Sequence, residues 1–490
     1  MAWDCPAQAA SGWQHRQNAP AATPTERRPM RALPLLCSCL LLAACAGAPL
    51  NPPRNKPAVA EPVARQPQSL ASETIVALSF SGGGLRASAF AYGVLEGLRD
   101  QPSAAGHTLL DDVGFITSVS GGSITAAWFG LHGVDGLQDF RDKVLMRDGE
   151  AGLRFSLLNP NNLMRLFAGG LNDRSNLNDW LERDVFKGAT FADMFRRQKP
   201  VIWINASNAQ YRLAFPFHER AFDAICSDLA SFPVSEAVAA SMAVPLFFAP
   251  VVLEKFPEAC RAPLPSGLAD RSSVERDDQH RLRLALLRAL RDFRDPKTGR
   301  YLKLVDGGVT DNLGLVSILQ SRVLLNTPYG PISEHDAATM RRMLFVVVDA
   351  GQGPSGDWGR EVAGPSGVDI ATAAVDTAIE STMRMSYAYF VPMMRNWERD
   401  IVTYRCSLPD ERKAALRAWN PDWRCEDIKF AVTQIGFADL PEAEETVLNA
   451  IPTRLKLPAA QIDQLIDAGR RAVAQDAGVK RFSSSVQRGD

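Results

Sequence analysis

The chain has 490 residues, 46% apolar and 22% charged, with 54 basic and 55 acidic side chains giving a formal net charge of −1. That length admits one large core or two domains, and the apolar share is ordinary for a globular protein. The balanced charge excludes the basic excess that a nucleic-acid partner calls for, and it leaves any attraction to acidic lipid heads to local patches.

Arg27, Arg28 and Arg31 precede an apolar run over 33–42. The run is too short for a bilayer core, which needs ~20 residues, and behind a basic flank it reads as a secretory signal. It ends in Leu42-Ala43-Ala44-Cys45, which resembles the bacterial lipobox. That resemblance implies removal of residues 1–44 as leader and signal, and a lipid anchor on Cys45. Ala46, rather than Asp, then implies an outer-membrane lipoprotein facing the periplasm. The signal proper can begin at Met30, and an ordinary signal peptide with an incidental cysteine is the alternative. Residues 45–72, rich in Pro, Ala and polar side chains, read as a lipidated flexible tether.

Structure is expected from Thr74. The run Thr74–Phe80 is β-rich and almost wholly apolar, as a strand buried on both faces would be. It meets Ser81-Gly82-Gly83-Gly84 and a helix near Arg86–Leu98. A second strand, Val113–Val119, meets Ser120-Gly121-Gly122 and a helix near Ile124–Leu131. Strand, tight loop and helix in alternation predict an α/β fold with a mostly parallel sheet. Further buried-strand candidates are Val201–Ala206, Leu302–Val305 and Met343–Asp349. A catalytic domain over 73–355 is expected, with an insertion at about 254–300 that carries a basic helix near Asp278–Phe293. A mainly helical extension over 356–490 should pack on it, with a long helical pattern over Ala371–Met394, one β-like run at Ile428–Ile435 and a terminal helix near Ala459–Ala474. Beyond Cys45 the cysteines are Cys226, Cys260, Cys406 and Cys425. An oxidising compartment permits disulfides, and proximity suggests Cys226–Cys260 and Cys406–Cys425 among three possible connectivities. No Cys/His grouping has metal-ligand spacing, so no metal is expected.

Three elements carry chemistry. Ser120 sits where a strand turns sharply into a helix, an elbow that exposes Oγ near a helix N-terminus. The familiar G-x-S-x-G reads S-x-S-x-G here, so Ser118 and Ser123 remain competitors, and a helix cap is the plainer reading. Gly82, Gly83 and Gly84 follow a buried strand, where bare amides can hold the oxyanion of an acyl transfer. Arg86 could hold a substrate phosphate, or merely form a surface ion pair. The same stretch satisfies G-x-G-x-x-A, a dinucleotide fingerprint, although Asp111 and Asp112 are poorly placed to complete it. Asp306, at a strand end before Gly307-Gly308, is expected at the end of a parallel strand as a base toward Ser120. Asp311 competes but reads as a helix cap. A Ser-acid-His triad would have only His335 after Asp306, with no strand end before it.

Together these elements resemble the patatin and cytosolic phospholipase A2 superfamily. Ser81-Gly82-Gly83-Gly84-Leu85-Arg86 is similar to its oxyanion loop, Ser118-Val119-Ser120-Gly121-Gly122 to its nucleophile elbow, and Asp306-Gly307-Gly308-Val309-Thr310-Asp311-Asn312 to its acid block. Ala240-Ser241-Met242-Ala243-Val244-Pro245 is similar to a fourth segment, and Leu448–Thr453 more loosely to a C-terminal one. The resemblance implies a three-layer sandwich, a Ser120–Asp306 dyad without histidine, a membrane phospholipid or related acyl ester as substrate, and no cofactor. Oligomeric state stays open. Two other classes remain: a non-catalytic outer-membrane lipoprotein using the fold for binding, and a nucleotide-binding module. The Arg- and Leu-rich stretch over 281–294 could lie on a membrane, and Met383, Met385, Met393 and Met394 could line an acyl site. For both, ordinary packing is the plainer expectation.

Overall fold

The computed structural model of the protein describes residues 51–488 apart from 60–69, 71, 105, 156–159, 168, 174–175, 261–276, 326, 354–361 and 363. The leader, the signal and Cys45 lie outside the described residues. Among those described, no helix is long and apolar enough to cross a membrane.

The organising feature is one eight-stranded sheet. Its strands are β1 (Thr74–Phe80), β2 (Val113–Val119), β3 (Val201–Asn208), β4 (Leu213–Phe217), β5 (Val251–Glu254), β6 (Tyr301–Asp306), β7 (Arg342–Asp349) and β8 (Lys429–Gly436). They lie in the order β5-β6-β3-β2-β1-β7-β8, with β4 paired to β3. The run β3-β2-β1-β7-β8 is parallel, whereas β4 and β6 run against β3 and β5 against β6. The expected strand over 302–305 is therefore present but antiparallel.

Alternation along the strands feeds two cores. Val76, Leu78, Phe80, Ile116, Ile204, Leu344, Val346 and Val348 face one way. There they meet α1 (Gly84–Arg99), α2 (Gly121–His132), α3 (Val234–Ser241) and, through α1, a C-terminal helix. Ile75, Ala77, Met343, Phe345 and Val347 face the other way. On that side lie α5 (Val316–Leu325) and α6 (Gly367–Ser407), the former beside α4 (His280–Arg294), the basic helix expected from the sequence. This is a mixed α/β, three-layer architecture with a mostly parallel central sheet and a helical C-terminal part.

Two boundaries differ from the sequence expectation. The tether reaches the body earlier: the Asn55 side chain donates to Glu254 O (2.8 Å) and accepts from Glu254 N (2.9 Å), as a neighbouring strand would. Asn51 donates to Ala249 O and Pro250 O, and Ala58 N donates to Cys226 O. Residues 51–58 thus cover the exposed edge of β5, and what sequence composition reads as linker is held by side-chain amides. At the other end, β8 pairs with β7 along its whole length, and α7 (Ala459–Gln475) lies against α1. Residues beyond 356 therefore supply a strand of the sheet as well as helices packed on both its faces. Disulfides join Cys226 to Cys260 and Cys406 to Cys425.

Candidate active site

β2 ends at Val119, and the chain turns into α2 at Ser120, whose φ is 49° and ψ −124°. A left-handed φ is strained for a residue with a side chain, and such strain persists only where neighbours fix it. Two contacts do so. Ser120 N donates to Ser241 Oγ (2.8 Å), which in turn donates to Asn205 O (2.6 Å). The glycines after the elbow are demanded by space: a Cβ at Gly121 would stand 2.0 Å from Gly84 O, and one at Gly122 would stand 2.6 Å from Ser81 O. Ser118 donates to Trp203 O, and Ser123 pairs with Ser241, so both are turned into the interior. Of these three hydroxyls, Ser120 is the one bonded to Asp306.

Ser120 Oγ donates to Asp306 Oδ2 at 2.9 Å. Asp306 is brought there by the antiparallel β6. The strand descends beside the far end of β3 and ends level with Ala206, one residue beyond the Asn205–Val119 pairing. The carboxylate therefore enters from the top of the sheet, not from the end of a parallel strand, because β3 extends past β2 and gives an antiparallel partner room. Asp306 N donates to Ala243 O (2.9 Å), and Gly307 N donates to Ser241 O (3.1 Å). The segment 240–243 thus holds both the hydroxyl and the acid. Asp306 Oδ1 accepts from Gly308 N at 2.8 Å. Burial dominates these hydrogen bonds and pushes the carboxyl up to about 7.

The glycine loop lies against the elbow. A Cβ on Gly82 would stand 3.1 Å from the Ser120 Cβ and 2.2 Å from Asn312 Oδ1. Gly82 N donates to both the carbonyl and the side-chain oxygen of Asn312 (3.1 Å each), which removes it from the expected oxyanion donors. Among the described residues no acceptor is bonded to the amides of Gly83 and Gly84, which open α1.

Arg86 corrects a second expectation. It is buried, with Nε donating to Ala350 O (3.0 Å) and a terminal nitrogen to Ile451 O (2.8 Å). It clamps the glycine loop to the end of β7 and to the C-terminal segment instead of reaching a substrate. Burial lowers its pKa to about 10, opposed by Asp349 and Glu380. Leu85 N donates to Arg454 O, so 451–454 also braces the loop.

Asp311 accepts from Leu313 N, Leu315 N and Val316 N at the start of α5, and from Ser386 Oγ, as a cap would. His335 is exposed on a short helix. His218 is half-buried and caps another by accepting from Ala221 N, and its desolvated setting holds its pKa down to about 3. Asp111 and Asp112 precede β2, whereas the glycine loop sits beyond the opposite ends of the strands. Seven residues of strand, ~23 Å, separate them, too far for the dinucleotide fingerprint. Among the described residues, the one grouping of metal-ligand type is Cys406, Cys425 and Glu426, whose sulfurs form a disulfide.

Ser241, Asn312 and 451–454 are the positioning residues that sequence reasoning did not assign. The alanine-serine block carried a signal for Ser241 and the end of the acid block one for Asn312, but the bond from Gly82 to Asn312 spans 230 residues and its pairing left no local trace.

Residues 78–318 match the family model of patatin-like phospholipases. The matched stretch contains the glycine loop, the elbow, the 240–245 segment and Asp306, and is what this part of the chain is similar to. Among solved structures, VipD from Legionella pneumophila is 11% identical, with 85% of this chain and 71% of that chain covered at a TM-score of 0.26. No curated protein matches.

Proposed function

We propose that the protein hydrolyses acyl esters of membrane phospholipids or related lipids through Ser120 and Asp306. The observation that carries this reading is the 2.9 Å bond from a strained, elbow-borne hydroxyl to a buried carboxyl whose pKa lies at about 7. A base serves best when its pKa is near the working pH. Asp306 takes the Ser120 proton as Oγ attacks the ester carbonyl. The amides of Gly83 and Gly84, at the positive end of the 16-residue α1, hold the oxyanion. Collapse expels the alcohol, which receives the proton from Asp306. Water, deprotonated by the same carboxylate, then releases the fatty acid from Ser120. All chemical roles fall on this chain's own groups.

The test is fatty-acid release from vesicles of phosphatidylethanolamine and phosphatidylglycerol. Wild type should release fatty acid and Ser120→Ala should fall to background. Release that persists in the variant moves the nucleophile elsewhere, and none from wild type favours a binding role.

We further propose that Cys45 anchors the mature chain to the outer membrane, which the lipobox-like Leu42–Cys45 supports. Buried acyl chains supply ~0.8 kcal/mol per CH₂, enough for durable attachment by two or more chains. Metabolic labelling with an alkyne fatty acid should mark the protein and be lost in Cys45→Ala. Equal labelling of both would refute the anchor.

A further inference from the structure

A cavity of about 340 Å³ lies away from the dyad. Neither Ser120, Asp306 nor the glycine loop lines it. It sits on the sheet face that carries α5 and α6, against Ala77, Phe115 and Trp203. Phe115 precedes Ser120 by five residues, ~16 Å of extended chain toward the opposite ends of the strands.

Central parallel strands ordinarily bury both faces. Here Phe115, Val201 and Trp203, on the central strands β2 and β3, are only half-buried because this space stands above them. Helix α4 forms one wall, with Leu286, Ala289 and Phe293 turned inward and Arg288 left largely exposed. The amphipathic stretch that could have lain on a membrane thus has its apolar side facing this largely apolar cavity. A volume of this size is at the lower end of ligand pockets. It suits one chain, not a two-chain lipid with its head group. At the rim stands Arg220, exposed and without an ion-pair partner among the described residues.

We propose that this cavity binds one long-chain fatty acid, the aliphatic chain against Trp203 and α4 and the carboxylate on Arg220. The choice of a fatty acid over other single-chain anions rests on the hydrolase reading, since that reaction releases one. The binding itself does not require the dyad.

The experiment uses the full chain as Ser120→Ala, so that the catalytic crevice does not turn lipid over. Palmitate binding is followed by calorimetry below its micellar concentration, and a chain-brominated stearate is used to quench tryptophan fluorescence. Saturable binding of one palmitate per chain is expected, with quenching that drops in Trp203→Phe. Ala289→Trp, which fills the cavity, should abolish binding. Should that variant melt early or fail to fold, Leu290→Trp serves in its place. Arg220→Ala should weaken palmitate at least about tenfold and leave hexadecanol unchanged. No saturable binding, binding indifferent to both tryptophan fillers, or equal loss of acid and alcohol in Arg220→Ala would each overturn the proposal. Ester hydrolysis by wild type is measured separately: hydrolysis without binding removes this inference alone, and binding without hydrolysis removes the catalytic reading alone.

Discussion

Asp306 is held where a carboxylate is uncomfortable. Its ordinary pKa of ~3.9 rises to about 7 on burial, so the folded chain binds a proton there that the unfolded chain releases. The destabilisation grows as pH rises from about 4 to about 7 and is complete above it. Asp306→Asn removes this penalty while its side-chain oxygen can still accept from Gly308. The variant should therefore melt higher than wild type at pH 8, by a few kcal/mol at most at ~1.4 kcal/mol per unit, and match it at pH 4. The same variant should lose ~10²-fold or more of its turnover. Wild-type turnover should rise with pH through about 7, as the base ionises. Thermal melts and initial rates across pH check both. A variant less stable at pH 8 than wild type would contradict the buried-acid account. Stability given up at a functional carboxylate is a recurring trade in enzymes.

At the scale of elements, the strand-loop-helix units around 74–99 and 113–132 were legible because parallel strands buried on both faces read as unbroken apolar runs. The direction of β6 was not legible, since apolar residues pattern alike in either orientation. The short strands β4 and β5 gave too little pattern to see. The methionine-rich helix divides as packing dictates: Met383, Met393 and Met394 are buried, while Met385 is 68% exposed. Close approach of α1 and α7 was likewise invisible, because it depends on two glycines far apart in sequence. A Cβ on Gly93 would stand 2.1 Å from Ile466 O, and one on Gly469 would stand 2.4 Å from Phe90 O. Alanine is a better helix former than glycine by ~1 kcal/mol, so a solvated Gly469→Ala would stabilise. Here the collision with backbone prevails, and a net loss of ~1–3 kcal/mol is expected by denaturant unfolding. A gain in stability would show that the helices can part without cost.

At the scale of the whole molecule, the separate short blocks that carry the resemblance lie side by side, with Ser120 bonded to Asp306 and the glycine loop against the elbow. What the resemblance could not supply was the framework around them. The glycine loop is braced by Asn312, by Ala350 and by 451–454, so parts on either side of the expected domain boundary near 355 hold one loop. Arg405 shows the same integration: fully buried, it donates to Met340 O, Arg424 O and Asp427, fastening α6 to the segment leading into β8. Long-range bonds of this kind are set by topology, which single-residue patterns do not encode.

The most direct measurement is the site of covalent modification by a fluorophosphonate, read by peptide mass spectrometry after the wild-type chain reacts at pH 8. The expected result is a single phosphonylated residue, Ser120, with the adduct absent in Ser120→Ala and formed far more slowly in Asp306→Asn. An adduct on Ser118, Ser123 or any other residue, or an Asp306→Asn rate equal to wild type, would contradict the dyad.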